Sequence, residues 1–299
     1  MGVSGGATAA EGAAPASLLW GLLGALLLAG PMACSGGGVR FDAGAGGGGG
    51  TEPLPSGTRW QPALGASWDW QLKTPVNTTS ADVDVYDIDP LDAGERVVAE
   101  LHALGRKVIC YVNVGAWEQW RPDAGAFPVA VVGAIYKGFP DERWLDIRQV
   151  DVLGPLMRAR LDQAREKGCD AVEPDNLDGY DTTAHEPSGF PLSYEDQLRY
   201  NRFIAAEAHA RGMAVGLKND INQTTDLAPY FDFAVSEQCF EYDECGLFAA
   251  FTAAGKPVFE AEYDLDPAKF CPRANTLQLS AIKKRTSLDS YRVGCESFR

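Results

Sequence analysis

The 299-residue chain predicts a closed β/α barrel of the TIM type, and three observations carry that prediction. One unit, an amphipathic helical stretch, a glycine and a buried apolar strand, recurs four times along the body. Candidate strands number about eight in all. Polar or charged residues close nearly every one of them at its C-terminal end, the side on which such barrels collect their functional groups.

The first fifty-odd residues stand apart from that body. Residues 18–29 form a dense apolar run, too short to span a bilayer comfortably. It resembles the apolar region of a secretory signal. Pro31, Met32, Ala33 and Cys34 follow it, so a small residue precedes a cysteine as in a bacterial lipoprotein signal. We therefore expect export, with residues 1–34 as a lipoprotein-like signal peptide. Any membrane attachment would then run through a lipid on Cys34. Residues 35–57 are Gly-rich, with Gly46 to Gly50 unbroken, and read as a flexible tether. Residues 58–299 form the single barrel domain, of the usual size for that fold.

Within the barrel, candidate strands at 66–72 and 83–88 come first. A helical face of Val97, Val98, Leu101 and Leu104 follows, closed by Gly105 and a strand from Val108 to Val112. The unit recurs at 156–166 with Gly168 and Ala171-Val172. It recurs through Tyr200, Phe203, Ile204 and Ala208, with Gly212 and a strand at 214–217. Its last copy runs over 247–254 with Gly255 and Val258-Phe259. Strands at 231–235 and 277–282 complete the set. Strands apolar on both faces, alternating with helices, make a parallel sheet covered on both sides. An open doubly wound sheet fits less well, because no Gly-rich phosphate loop follows an early strand.

Composition narrows the function. With 41 Asp and Glu against 26 Lys and Arg, the formal charge is −15. A nucleic-acid partner is excluded on electrostatic grounds. His102, His185 and His209 show no paired metal-ligand spacing. His185 falls in a loop that could line a mouth, and no Gly-x-Ser-x-Gly elbow is present.

Carboxylates are what remain. The run from Cys169 to Tyr180 holds Asp170, Glu173, Asp175 and Asp178. Strand alternation puts Glu173 and Asp175 on one face, pointing inward, with Asp178 in the loop beyond. Glu237 closes a later apolar strand, whereas Glu241, Asp243 and Glu244 read as a solvated helix start. Two carboxyls facing each other across a mouth are the minimum for glycoside hydrolysis. Trp68 and Trp70 alternate on the first strand, and Trp117 and Trp120 follow Asn113 in a loop. Rings at strand ends offer flat faces to sugars, and at least two of the four are expected to line the site. Six cysteines remain after Cys34. Cys239 with Cys245 and Cys271 with Cys295 are candidate bridges, while Cys110 and Cys169 either pair or stay buried thiols.

These residues together carry a family resemblance. In order along the chain stand Trp68-Asp69-Trp70-Gln71-Leu72, Val85-Tyr86-Asp87-Ile88-Asp89, Cys110-Tyr111-Val112-Asn113-Val114-Gly115 and Trp120-Arg121-Pro122-Asp123. Glu173-Pro174-Asp175-Asn176-Leu177-Asp178-Gly179-Tyr180, Glu237-Gln238-Cys239-Phe240 and Glu260-Ala261-Glu262-Tyr263 complete the series. As a set, covering Trp60 to Cys295, they resemble glycoside hydrolase family 114, the endo-α-1,4-polygalactosaminidases and their relatives. The resemblance implies a barrel that cleaves α-1,4-linked, galactosamine-rich polysaccharide with no metal or organic cofactor, expected as a monomer. It implies Asp175 as nucleophile and Glu237 as general acid/base, with Glu173 and Asp178 as secondary candidates. Trp68, Asp87, Tyr111, Lys218, Asn219 and Glu262 would form sugar subsites, with Trp117 beside them. Asp175 is expected to be ionised and held by Lys218 or Asn219, and Glu237 to sit in a drier setting. Retention of configuration is the expected outcome. Other readings are a non-catalytic carbohydrate-binding lipoprotein, a surface protein whose acids bind ions, and a barrel glycosidase for another α-linked polymer.

Overall fold

The computed structural model describes residues 59–94 and 96–298. The expected signal segment and Gly-rich tether lie outside them. Eight parallel strands form the body: β1 (Trp68–Gln71), β2 (Val85–Ile88), β3 (Lys107–Asn113), β4 (Ala171–Asp175), β5 (Ala214–Lys218), β6 (Phe233–Glu237), β7 (Val258–Glu262) and β8 (Ser280–Lys283). They are hydrogen-bonded in chain order, and Val293–Gly294 adds to β8 as a short antiparallel strand. The helices are α1 (Val97–Ala103), α2 (Val150–Glu166), α3 (Tyr194–Ala210), α4 (Thr224–Leu227), α5 (Ala249–Ala253) and α6 (Pro267–Thr276). Each of the four glycines read as helix terminators has a left-handed φ: 77° at Gly105, 91° at Gly168, 72° at Gly212 and 72° at Gly255. That conformation is what glycine adopts without a Cβ penalty.

Alternation along the strands divides the apolar residues into two cores. Tyr86, Val108, Cys110, Val172, Val215 and Val258 face outward and pack with Leu101, Met157, Leu161, Ile204 and Phe270 from the helices. Trp68, Trp70, Val85, Ile109, Ala171, Phe233 and Phe259 face inward and fill the barrel. A Cβ on Gly216 would meet the Phe233 ring at 2.3 Å, so that inward position admits no side chain while Phe233 holds its place.

Side chains tie the β1–β8 seam. Trp68 Nε1 donates to the Ser280 carbonyl at 2.7 Å and Arg292 Nε to the Trp68 carbonyl at 2.6 Å. The buried Lys284 ammonium lies 2.7 Å from Asp69. Three disulfides are present: Cys110–Cys169, Cys239–Cys245 and Cys271–Cys295. The first settles the pair that spacing left open, linking neighbouring strand β3 to the residue that leads into β4.

One element departs from expectation. Between β3 and α2, where a loop is read from sequence, stands a three-stranded antiparallel sheet of Ala116–Glu118, Val132–Tyr136 and Phe139–Leu145. Its strands are short and half exposed, so they lack the apolar periodicity that marks the barrel strands. A two-residue turn, Lys137 and Gly138 with φ 92° at the glycine, joins the last two in the manner of a tight hairpin.

Candidate active site

The inward faces of the strands change character along their length. Near the N-terminal ends they carry Trp68, Ile109, Ala171 and Phe233. At the C-terminal ends the same faces carry Asp87, Tyr111, Glu173, Asp175, Lys218 and Glu237. Period-two geometry requires these positions to share one side with the apolar ones below them, and β2 and β4 are alternate strands, whose inward side chains meet in one layer.

The Lys218 ammonium is the centre of the cluster. It lies 2.9 Å from Glu173 Oε1, 3.1 Å from Asp175 Oδ1 and 3.4 Å from Glu237 Oε2. The Trp70 ring backs it, with its centroid 4.8 Å from Nζ. Burial alone would lower the pKa of this lysine. The carboxylates of Asp175, Glu173 and Glu237 overcome that penalty and carry it well above the ordinary value, so the site holds a permanent cation.

Beneath it lies a carboxyl pair. Asp87 is fully buried, and burial, the neighbouring Glu173 charge and its hydrogen bond to Glu173 hold its pKa well above the usual range. Glu173, also buried, is pushed up to about 7, by burial first and by Asp175 next, with Lys218 opposing both. Two carboxyls can bond only when one carries the proton. Here Asp87 is the donor and Glu173 the acceptor that also faces Lys218.

Asp175 and Glu237 are the exposed members. The Tyr111 hydroxyl donates to Asp175 Oδ2 at 3.1 Å, while Lys218 takes Oδ1. Asn219 grips Glu237 twice: its Nδ2 donates to Oε2 at 3.3 Å and its Oδ1 accepts the Glu237 N–H at 3.0 Å. The Tyr263 hydroxyl donates to Glu237 Oε1. Of the two expected anchors of Asp175, Lys218 is the one found, and Asn219 serves Glu237 instead. The expected dryness also runs the other way, since the Glu237 side chain keeps 29% exposure against 20% for Asp175.

The strand ends turn sharply to present these groups. Asn176, Asn219 and Gln238, the residues immediately after Asp175, Lys218 and Glu237, have φ of 62°, 49° and 57°. Non-glycine residues visit that region seldom, asparagine most readily, and the strain of about 1–3 kcal/mol per residue is typical of functional sites.

The inserted sheet and the loop after β4 complete the surroundings. Glu142 and Trp144 share one face of the strand Phe139–Leu145, and Trp144 packs against Tyr136 and His185 at centroid distances of 4.7 Å and 5.2 Å. His185 Nε2 lies 3.0 Å from Asp178. Burial lowers the His185 pKa, but the Asp178 carboxylate outweighs it and raises the value overall. A cavity lined by Pro90, Tyr111, Glu118, Arg121 and Arg160 adjoins this centre through Tyr111; neither Asp175 nor Glu237 lines it.

Several expected sugar contacts are not where a sugar can reach. Trp68 is wholly buried among Trp70 and Phe259 at the bottom of the barrel. Trp70 is buried under Lys218, and Trp117 directs its indole N–H to the Ala124 carbonyl at 3.0 Å. Trp120 alone of the four is exposed, at 53%. Asp87 and Glu173 are wholly buried, Glu173 against Lys218 and Asp87 against Glu173. Glu262 corrects most clearly: Phe259 and Ala261 face inward, so Glu260 and Glu262 face outward. There Glu262 accepts the Phe240 N–H at 2.8 Å and the Glu241 N–H at 3.3 Å, pinning the loop that follows Glu237.

Two groups of the site are not marked by the sequence pattern. Tyr263 stands next to Glu262, and the alternation that turns Glu262 outward turns Tyr263 inward. Glu142 belongs to the unforeseen sheet. The Lys137-Gly138 turn was the available signal for that hairpin.

Comparison with known proteins identifies the family and the fold. The model of glycoside-hydrolase family GH114 matches residues 51–298. The chain is similar to Aspergillus fumigatus Ega3, solved in complex with galactosamine, at 37% identity, with 82% of this chain and 100% of that one covered and a TM-score of 0.75. The glycoside hydrolase domain of PelA from Pseudomonas aeruginosa shares the fold at 15% identity, covering 76% of this chain and 96% of that one, with a TM-score of 0.57. No curated protein matches the chain. The chain belongs to glycoside hydrolase family 114.

Proposed function

We propose that this family 114 chain is an endo-acting hydrolase of α-1,4-linked, galactosamine-containing polysaccharide, working by retention with Asp175 as nucleophile and Glu237 as general acid/base. One observation carries the reading: both partly exposed carboxylates touch the same buried ammonium. Their nearest oxygens are therefore no farther apart than the two contacts of 3.1 Å and 3.4 Å laid end to end. That limit sits at the lower edge of the roughly 6.5–9.5 Å gap of inverting enzymes and accommodates the roughly 5–5.5 Å of retaining ones. The sugar named in the Ega3 complex and the formal charge of −15 both favour a cationic polymer.

In this reading Lys218 and Tyr111 hold the two oxygens of Asp175, so the nucleophile meets the anomeric carbon in one orientation. Glu237, in its protonated form, gives that proton to the departing oxygen and then, as the carboxylate, takes one from the water that frees the product. Lys218 lets two carboxylates stand close together in a partly dry mouth, where their mutual repulsion would otherwise oppose it. The exported, lipid-tethered N-terminus expected from sequence would place this activity outside the cytoplasm; retention of the full chain in membranes, lost on Cys34→Ser, tests that part.

The test of the chemistry is hydrolysis of an α-1,4-galactosamine polymer followed by NMR of the anomeric proton. An initially retained product is expected, and an inverted one would remove Asp175 from its role. Asp175→Asn and Glu237→Gln should each lower the rate by about two to four orders of magnitude.

A further inference from the structure

We propose that Glu142 is a specificity-determining residue that receives the free ammonium group of an amino sugar beside Asp175. The inference rests on the galactosamine-polymer reading above and names the residue that tells that polymer from its acetylated form.

The argument begins with pairing in the inserted sheet. Glu142 stands directly across from Glu118 on the neighbouring strand, where side chains are about 4.5–5.5 Å apart and like charges disfavour each other. The nearby cation is already taken. Arg121 donates to both Glu118 oxygens, at 2.8 Å and 3.0 Å, and lies 2.7 Å from Asp89. Among the described residues the Glu142 carboxyl has neither a hydrogen bond nor an ion pair, although only 7% of the residue is exposed.

An acid so buried without a partner is costly, and its surroundings register the cost. Burial first, then the charges of Glu118 and Asp175, push its pKa up to about 8, with Arg121 opposing them. The same charges reach Tyr111, whose hydroxyl pKa is held high by burial, by Asp175, and by Glu118 and Glu142. Arg121 itself sits over the Tyr111 ring at 5.7 Å. Contacts link the two sides: Glu118, opposite Glu142, holds Arg121, Arg121 covers Tyr111, and the Tyr111 hydroxyl bonds Asp175. Trp144, on the same face as Glu142, anchors the strand against the loop after β4 through His185.

What this position lacks is a cation. An ammonium on the sugar would give Glu142 its missing partner and favour its ionised form, which burial and the charges of Glu118 and Asp175 otherwise oppose. An N-acetyl group brings no charge and places an amide where the acid needs a counterion. Free amine and acetamide are thus separated by a charge-assisted contact that only one of them can make.

The experiment uses the full chain on a partly N-acetylated α-1,4-galactosamine polymer, with product ends read by mass spectrometry, and on the fully deacetylated polymer for kinetics. Wild-type ends should be enriched in free galactosamine. Glu142→Gln should produce ends that follow the polymer's own composition. Its KM for the deacetylated polymer should rise about tenfold to a hundredfold, the change expected from one charged hydrogen bond, with kcat nearly unchanged. Glu142→Asp should keep the wild-type preference. Unaltered product ends in Glu142→Gln, or a fall in kcat with the preference intact, overturn the proposal. If the wild-type chain releases no ends from either polymer, the substrate reading fails first and this inference with it.

Discussion

Two buried carboxyl pairs lie on opposite faces of the same barrel wall. Asp87 and Glu173 face the axis, and Glu260 and Glu262 face the helices. In each, one acid is held far above its usual pKa by burial and by its partner, so that it donates a proton to the other. The difference lies in who answers the remaining negative charge. Inside, a side-chain cation does it: Lys218 bonds Glu173 and reaches on to Asp175 and Glu237. Outside, the backbone does it: the N–H groups of Phe240 and Glu241 point at Glu262. A charge answered by a side chain can be shared with a substrate, whereas one answered by peptide groups holds a loop in place. Similar acid pairs thus support a shared cation on one face and a fixed loop on the other.

The strongest way to break this contrast is Lys218→Met. Three carboxylates would lose their common cation, so we expect a fall of about two to three orders of magnitude in kcat. Removing one partner of a buried ion pair also predicts a loss of about 3–5 kcal/mol in stability, measured by urea unfolding. Survival of near-normal kcat would mean that Lys218 is merely structural.

Glu262→Gln is the matched change outside. It weakens charge-assisted bonds to two backbone donors, at about 1.5–3 kcal/mol of stability, while kcat/KM should fall no more than about tenfold. An activity loss as large as that of Lys218→Met would erase the distinction between the faces.

The smallest effects belong to Asp87→Asn and Glu260→Gln, which keep a donor and remove the titration. Because both acids bind protons more tightly when folded, the native state holds protons that the unfolded chain releases. Stability therefore falls as pH rises. For the inner pair the Glu173 contribution to that fall spans about 4.5 to about 7 and then levels off. Each substitution should flatten the slope and leave stability within about 1 kcal/mol of wild type at the acidic end. A slope unchanged in Asp87→Asn would show that the inner pair does not share a proton.

Much of this was legible without coordinates. The four helix-glycine-strand units and the eight strands were read from periodicity. Asp175 and Glu237 were picked out because an acid that ends an apolar strand needs a use or a partner. The differences between sequence and structure share a cause. Residue type at a strand end points to Trp68 and Glu262, but the inward face carried along the strand does not. Counting by two from Phe259 would have turned Glu262 away and Tyr263 toward Glu237. Trp68 sits two residues below Trp70, a full layer beneath the mouth, where the barrel needs bulk.

The amino-acid order alone determined which segments are the barrel strands, which glycines end the helices and which faces of β2, β4, β5 and β6 carry charge, because these follow from local geometry and a period of two or nearly four. Only the closed barrel decided that Asp87 would share a proton with Glu173, that one ammonium would touch three acids, and that Glu142 would be left without a partner. Such relations depend on side chains from strands far apart in sequence meeting within a few ångströms in a dry space, and neither the distance nor the dryness exists until the wall has closed.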